Sequence, residues 1–331
     1  MVTELVEKLF FTREISEEIS LPLKKRDVHF GDKVFYYLLK GASWGIVFLL
    51  LAMVGLILKM SWPAFSTLGW TFFTSAEWNS WTQEFGVLSF IYGTVISSLL
   101  AVAFAVPVSV GVALFLNELA PSWLARPLGF LIEMLAAIPS IVYGLWGLFV
   151  LAPLLRTYVQ PVLLDYFGWF PLFQGPPLGV GMLCAGVLLA IMITPTISAM
   201  TREVFKAIPV SHREAALGLG ATRWEMLKLA VLKTGTSGII GAVILGLGRA
   251  LGETMAVTMV IGNKSEIHLS LFESGQTMAS ILANQYAEAD SDLQLAALTA
   301  VGLTLFMVSL IINSIARFIV WKVEKGFKGG K

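Results

Sequence analysis

The sequence predicts an all-α integral membrane protein with six transmembrane helices, and three observations carry that prediction. Of its 331 residues, 56% are hydrophobic and only 14% are charged, which is unlike a soluble domain of this size. Apolar runs near the roughly 20 residues that span a bilayer recur along the chain. These runs are continuous, whereas the strands of a membrane β-barrel alternate apolar and polar residues.

The apolar runs are expected to form six membrane spans. The second and fourth contain no charged residue, the first is short, and the third contains Glu133. In chain order the runs are Gly41–Leu58, Ile91–Leu116, Leu128–Leu151, Leu178–Met200, Ile239–Ile261 and Leu295–Ile315. The connection 262–292 on the outer side becomes acidic towards its end and is expected to be a solvated loop.

Positive charge is distributed unevenly around these spans. With the N-terminus in the cytoplasm, 19 of the 23 Lys and Arg residues fall on the inner side and 3 on the outer side. The remaining one, Arg249, lies within the fifth run. Because cytoplasmic loops carry an excess of Lys and Arg, both termini are predicted to be cytoplasmic.

A single membrane domain is predicted, without an internal repeat. Residues 1–40 are charged and contain no early apolar run, so they are interpreted as a cytoplasmic or interfacial segment rather than a cleaved signal. Residues 41–320 are expected to form the six-helix transmembrane domain, which includes a cytoplasmic loop at 201–238. Residues 321–331 are expected to be a cytoplasmic tail.

The fifth run contains an arginine, Arg249, near its centre. A charge at that depth costs on the order of 2.5–3.5 kcal/mol on insertion scales, so it needs a partner or a polar cavity. Glu253 follows four residues later, and on a continuous helix the two side chains would share a face. A cation on a polar path through the membrane indicates an anion as the transported species.

Prolines interrupt two neighbouring runs. Pro139 removes a backbone donor from the third run, and the Ser140 hydroxyl is expected to help satisfy the freed carbonyl. Thr194 and Thr196, which flank Pro195, are expected to do the same in the fourth run. Kinks are ordinary in membrane helices, but beside a charged span these residues become candidates for lining a transport path.

The inner connection 201–238 has the pattern of a helix–turn–helix. Ser211 and Glu214 have the spacing of a capping box just after Pro209, so a helix is expected to start there. Gly218 and Gly220 are expected to end it, and residues 222–233 are expected to form a second helix. A short helical projection of this kind is suited to docking another protein.

The Glu-Ala-Ala run at 214–216, followed by a glycine at 220, resembles the EAA loop of ABC-importer permeases. The resemblance implies a type I ABC-importer permease fold. It also implies a coupling helix that sits in a cleft of a separate ATPase subunit. The residues expected to carry that coupling are Ser211, Glu214, Ala215, Ala216 and Gly220.

Two further segments are similar to PstC-type permeases of phosphate importers. They read AIPSIVYGLWG at 137–147 and GRALGETMAV at 248–257. The resemblance covers roughly residues 85–320 and implies the permease subunit of an ATP-driven importer of inorganic phosphate. The residues expected on the substrate path are Arg249, Glu253, Thr254, Ser140, Pro139 and Thr194.

Such a permease implies partners that complete the importer. They are a second, PstA-like permease subunit, a PstB-like ATPase dimer and a PstS-like phosphate-binding protein outside the membrane. The chain has no GxxxxGK[ST] sequence, so it is not expected to be an enzyme, and ATP and Mg are expected on the ATPase. The three histidines are isolated, so no metal site is expected, and no cofactor or nucleic-acid contact is expected either.

Alternatives remain open at this point. A sulfate or molybdate permease has a similar Arg-x-Leu-Gly-Glu run, although that run usually continues with Phe-Gly rather than Thr254-Met255. A channel or a proton-coupled secondary transporter belongs to a different class and would be expected to contain a chain of titratable groups. A role in sensing phosphate is compatible with transport.

Overall fold

The computed structural model describes residues 30–328, which are mostly helical. Among these, residues 30–55 and residues 56–328 form separate compact units. Two short strands, β1 (Trp78–Asn79) and β2 (Glu84–Phe85), pair antiparallel, with Trp78 opposite Phe85. In chain order the helices are α1 (Phe30–Leu68), α2 (Thr71–Thr74), α3 (Leu88–Leu119), α4 (Ser122–Ala136), α5 (Ser140–Phe167), α6 (Met182–Ala207), α7 (Val210–Gly218), α8 (Arg223–Leu251), α9 (Met255–Val260), α10 (Met278–Gln285) and α11 (Asp292–Lys328), with 3₁₀ turns at Pro171–Phe173 and Tyr286–Glu288.

Six of the helices within residues 30–328 are long and apolar enough to cross a membrane: α1, α3, α5, α6, α8 and α11. The predicted number of spans is therefore confirmed. The first and last of these helices extend beyond the apolar runs that predicted them. Helix α1 already begins at Phe30, and α11 continues to Lys328. Apolar composition marks the lipid-facing part of a helix, whereas backbone hydrogen bonding carries the helix into more polar residues.

The third span differs from its prediction. The run Leu128–Leu151 does not form one helix, because α4 ends at Ala136 and α5 begins at Ser140. The helix long enough to span the membrane is α5, which continues to Phe167. Much of the expected outer connection 152–177 therefore belongs to a membrane helix.

Pro139 explains this interruption. A proline has no N–H to bond the carbonyl four residues earlier, which is that of Leu135, and it disfavours helical backbone at Ile138. The Tyr143 hydroxyl donates to the freed Leu135 carbonyl at 2.9 Å. Tyr143 therefore has the role that the sequence suggested for Ser140.

The fifth span is interrupted as well. The predicted continuous helix over Ile239–Ile261 is wrong, because α8 ends at Leu251 and α9 begins only at Met255. Glycine is a poor helix former, and Gly252 occupies the first position of the break. The Thr254 hydroxyl donates to the Gly252 carbonyl at 3.2 Å, a local bond that competes with helical pairing.

Helix α6 is the central helix of the unit that begins at Leu56, and it packs against α3 and α8. Most of its length is buried, including the side chains of Leu188 and Ile193. Gly186 lets α3 come close, because a Cβ at this position would lie 2.8 Å from the Cβ of Leu100. Lipid tails are as apolar as the side chains, so moving a side chain from lipid to a helix interface gains little hydrophobic free energy. Close van der Waals packing therefore holds membrane helices together.

The connection between α9 and α11 is packed into the protein rather than solvated. Phe272 and Met278 are completely buried. The first N–H groups of a helix lack partners within it, and two of those at the start of α6 are satisfied by this segment. Met182 N–H donates to the Glu273 carbonyl at 3.0 Å, and Leu183 N–H donates to the Leu271 carbonyl at 2.8 Å. The expectation of a solvated loop is therefore wrong for residues 271–281, which we call the packed outer segment after the side of the membrane predicted for it.

Candidate functional site

The two motifs that resembled phosphate permeases come together at two helix breaks. Helix α9, which follows the break at 252–254, packs against the start of α5, which follows the break at 137–139. Gly144 allows this approach, because a Cβ there would lie 3.0 Å from the Cα of Ala256 and 2.7 Å from the sulfur of Met259. The sequence placed the two motifs in different spans, and the structure makes them neighbours.

Arg249 lies in the last turn of α8, directly before the second break, and its side chain is partly buried. Its Nη1 donates a hydrogen bond to Thr196 Oγ1 on α6 at 2.9 Å. The Arg249 side chain therefore links α8 to α6.

The position of Thr196 shows where the Arg249 charge lies along α6. Helix α6 has 26 residues, and Thr196 lies about 17 Å from its end at Ala207, at a rise of 1.5 Å per residue. That distance is close to half the length of the helix. The placement of Arg249 near the middle of the membrane stays a prediction.

Glu253 does not pair with Arg249. The ion pairs found within residues 30–328 do not include one between these two side chains. The helix ends between them, so the four-residue spacing no longer brings them to one face. Glu253 Oε1 instead accepts a hydrogen bond from the N–H of Ala256 at 3.2 Å, which satisfies a free donor at the start of α9.

The other predicted path residues fall into two groups. Pro139 and Ser140 lie at the start of α5 and Thr254 at the start of α9, so all three belong to the two breaks. Thr194 lies on another face of α6 from Thr196, where its hydroxyl donates to the Ala190 carbonyl at 2.7 Å. It lines a cavity of about 420 Å³ with mainly apolar walls between α3, α4 and α6. A path role for these residues stays a prediction.

Thr196 is a residue of the site that sequence reasoning assigned only to the kink at Pro195. The signal that singles it out is its contact with an arginine 53 positions away in the sequence. No local pattern carries that information. The pairing becomes visible only once α6 and α8 are packed together.

The connection 201–238 contains a helix–turn–helix, but its bounds and its capping differ from the prediction. Helix α6 continues to Ala207, and the second helix does not end at residue 233 but runs on as α8 to Leu251. Helix α7 begins at Val210 with Pro209 as its N-cap, and no side chain caps it. The capping box expected at Ser211 is therefore wrong. A complete capping box forms instead at Thr222, where the hydroxyl accepts from Glu225 N–H at 3.3 Å and the Glu225 carboxylate accepts from Thr222 N–H at 2.8 Å.

The turn between these two helices is tight and exposed. Gly220 has φ +86°, a left-handed conformation that glycine adopts without strain. Glu214 and Ala215 are exposed, Ala216 is half-buried, and Leu219 is 90% exposed.

The residues that the structure describes contain no group of three or more His, Cys, Asp or Glu side chains placed to hold a metal ion. The cationic side chain of Arg249, directly before the break at 252–254, has a more specific chemistry. It suits an anion, because the guanidinium has five N–H donors and only one bonds Thr196.

Comparison with known proteins defines the class. Residues 105–325 match the family of binding-protein-dependent transport system inner membrane components. The match covers more than half of the chain, so the chain belongs to this family and is a multi-pass inner-membrane permease.

Relatives within this class are similar over most of their length. The chain is 46% identical to the phosphate transport system permease protein PstC of Mesorhizobium japonicum, over 88% of this chain and 91% of that protein. It is 49% identical to PstC of Pasteurella multocida, over 84% and 88%. It is 36% identical to PstC 2 of Mycobacterium tuberculosis, over 93% and 97%.

Solved structures with this fold are ABC-importer permeases. A bacterial ABC transporter involved in the import of alginate aligns with a TM-score of 0.59 at 18% identity, covering 89% of this chain and 97% of that chain. The MetNI methionine ABC transporter aligns with a TM-score of 0.52 at 17% identity, covering 72% and 95%. The predicted ABC-importer permease fold is therefore confirmed.

Proposed function

We propose that this chain is a permease subunit of an ATP-driven importer of inorganic phosphate, and that Arg249 binds the anion during passage. The observation that carries this proposal is the partly buried guanidinium of Arg249, which Thr196 holds directly before a helix break. Relatives named as phosphate transport permeases support phosphate as the anion.

The helix breaks contribute to the same chemistry. A helix N-terminus carries partial positive charge and free N–H groups, and discontinuous membrane helices direct such ends at anionic substrates in other transporters. The start of α5 at Ser140 is such an end. Phosphate would be held by one side chain and backbone donors, a small set that allows release as well as binding.

Glu253 contributes to this site indirectly. Its carboxylate is engaged with the start of α9, so it holds the segment after the break in place. A negative charge near the path also limits how tightly Arg249 retains an anion. This weak binding suits a site that a substrate must leave.

The energy would come from partners. The exposed coupling loop around Glu214 would sit in a cleft of a PstB-like ATPase dimer that binds ATP and Mg. A PstA-like permease would complete the membrane domain, and a PstS-like binding protein would deliver phosphate from outside. Membership of a binding-protein-dependent transport family supports an ATPase and a binding protein as partners.

The test measures ATP-dependent phosphate uptake into vesicles that contain the complete importer. Arg249→Gln is expected to lose most uptake while assembly and basal ATPase activity persist, because glutamine keeps hydrogen-bonding capacity but not charge. Arg317→Gln, at an exposed position on α11, is the control and should transport normally. Wild-type vesicles that import sulfate but not phosphate would overturn the proposed substrate. Normal uptake by Arg249→Gln would remove Arg249 from the path.

A further inference from the structure

Arg213, the residue directly before the Glu-Ala-Ala run, points into the protein although α7 is otherwise largely exposed. Its side chain is 15% exposed, and that of Glu118, at the end of α3, is 8% exposed. Arg213 Nε donates to both carboxylate oxygens of Glu118, at 3.2 and 3.1 Å, and Nη2 donates to Oε1 at 2.7 Å. The Asn117 amide also donates to Glu118, at 2.7 Å.

The same guanidinium also donates hydrogen bonds to backbone carbonyl groups at the end of α6. Nη1 donates to the Ile208 carbonyl at 2.8 Å, and Nη2 donates to the Phe205 carbonyl at 2.9 Å. The last carbonyl groups of a helix lack partners within it, and a cation there also suits the helix dipole. Arg213 therefore fastens α7 to the ends of two membrane helices, with a planar fork of donors that lysine lacks.

Helix α3 connects this attachment to the opposite side of the protein. It has 32 residues and is about 48 Å long at 1.5 Å per residue. Near its start, Thr94 Oγ1 accepts a hydrogen bond from Met278 N–H at 2.9 Å. A Cβ at Gly93 would overlap the Gln276 carbonyl oxygen. One end of α3 thus contacts the packed outer segment, and the other end holds the coupling helix.

We propose that the Arg213–Glu118 pair is the joint through which α7 moves α3, and through α3 the packed outer segment, during transport. The proposal rests on the proposed function, because it requires an ATPase that moves α7. Neither side chain touches the substrate, so both are positioning residues. Pulling a bidentate buried pair apart would leave a desolvated charge, and α7 and α3 therefore move together.

Movement of α7 could instead be transmitted through the backbone connections that join it to the neighbouring helices. Residues 208–209 connect α7 to α6, and residues 219–222 connect it to α8. If these connections carry the movement alone, removing the ion pair leaves ATP hydrolysis coupled to transport. The ATP hydrolysed per phosphate imported therefore separates the two routes.

The experiment uses the complete importer in vesicles with its binding protein, and measures ATP hydrolysis and phosphate uptake in the same preparation. Arg213→Gln and Glu118→Gln are each expected to raise the ATP hydrolysed per phosphate about fivefold or more, the lower end of coupling between distant sites. The double variant Arg213→Glu with Glu118→Arg is expected to regain part of the coupling. It restores an ion pair but not the bonds to the end of α6.

The matched control is Lys206→Gln. It removes an exposed ion pair with Glu203, 2.6 Å long, on the neighbouring stretch of α6. Exposed pairs contribute little, so the ratio of ATP to phosphate should stay at the wild-type value.

An unchanged ratio in Arg213→Gln would overturn the joint, whether uptake and hydrolysis stay normal or fall together. If Arg213→Gln does not assemble, Glu118→Asp takes its place, because it keeps the charge but shortens the reach. A wild-type ratio in Glu118→Asp then contradicts the proposal, and a raised ratio supports it. Wild-type vesicles without ATP-dependent phosphate uptake would overturn the proposed function and this inference together.

Discussion

At the scale of single residues, one hydrogen bond decides where the Arg249 guanidinium lies. The partner expected from sequence spacing was Glu253, but the helix stops between the two residues. Thr196 on a neighbouring helix accepts the bond instead. A neutral partner leaves the positive charge uncompensated, which favours an anion at this position.

Thr196→Val tests that role. Valine keeps the shape of threonine but removes the acceptor, and hydrogen bonds to charged groups contribute about 1.5–3 kcal/mol. We expect uptake at saturating, phosphate-loaded binding protein to fall about tenfold or more, since each 1.4 kcal/mol corresponds to a factor of ten. Thr196→Ser, which keeps the hydroxyl, should transport at close to the wild-type rate. Equal rates for valine and threonine would show that Arg249 is positioned by other contacts.

At the scale of helices, apolar runs predicted six spans because lipid selects for composition, but they did not predict where helices break. Breaks depend on backbone hydrogen bonds, which Pro139 removes outright and Gly252 weakens. The capping of the coupling loop shows the same limit. Ser211 and Thr222 both precede a glutamate by three residues, yet only Thr222 caps a helix. Because Pro209 is the N-cap of α7, Ser211 already lies inside the helix and cannot cap it.

The candidate site was predictable to a similar degree. Arg249 stood out because a charge in an apolar run is costly. The contact with Thr196 and the meeting of the two breaks depend on tertiary packing, so no sequence spacing encodes them. Arg213 was overlooked because an arginine in a polar loop normally faces water, and only its partner Glu118 reveals its burial.

Gly144→Ala tests whether α5 and α9 must pack as closely as the structure shows. The new Cβ would lie 3.0 Å from the backbone of Ala256, so the two helices would have to separate. Overpacking of this kind costs about 1–3 kcal/mol, and we expect a lower Tm of the purified complex. Gly248→Ala is the control, because a Cβ there meets nothing within 4 Å. A Tm for Gly144→Ala equal to that of the control would contradict the close packing of the breaks.

At the scale of the whole molecule, the distribution of positive charge predicts which end of α3 faces the cytoplasm. Helix α7 binds the end of α3 at Glu118, and the packed outer segment binds its start at Thr94. If positive charge marks the cytoplasmic side, the coupling loop faces the ATPase compartment and the packed outer segment faces outside. The direction of import depends on that orientation.

Cysteine labelling tests the orientation directly. The single native cysteine, Cys184, is buried and can be replaced by alanine to give a cysteine-free background. In spheroplasts washed free of binding protein, a membrane-impermeant thiol reagent should label Leu269→Cys, where the native side chain is 67% exposed. It should leave Ser274→Cys unlabelled, because that position is buried in the packed outer segment. Lys322→Cys, exposed near the end of α11, should react only after permeabilisation. The opposite labelling pattern for positions 269 and 322 would invert the orientation, and the coupling loop would then lie on the side without ATP.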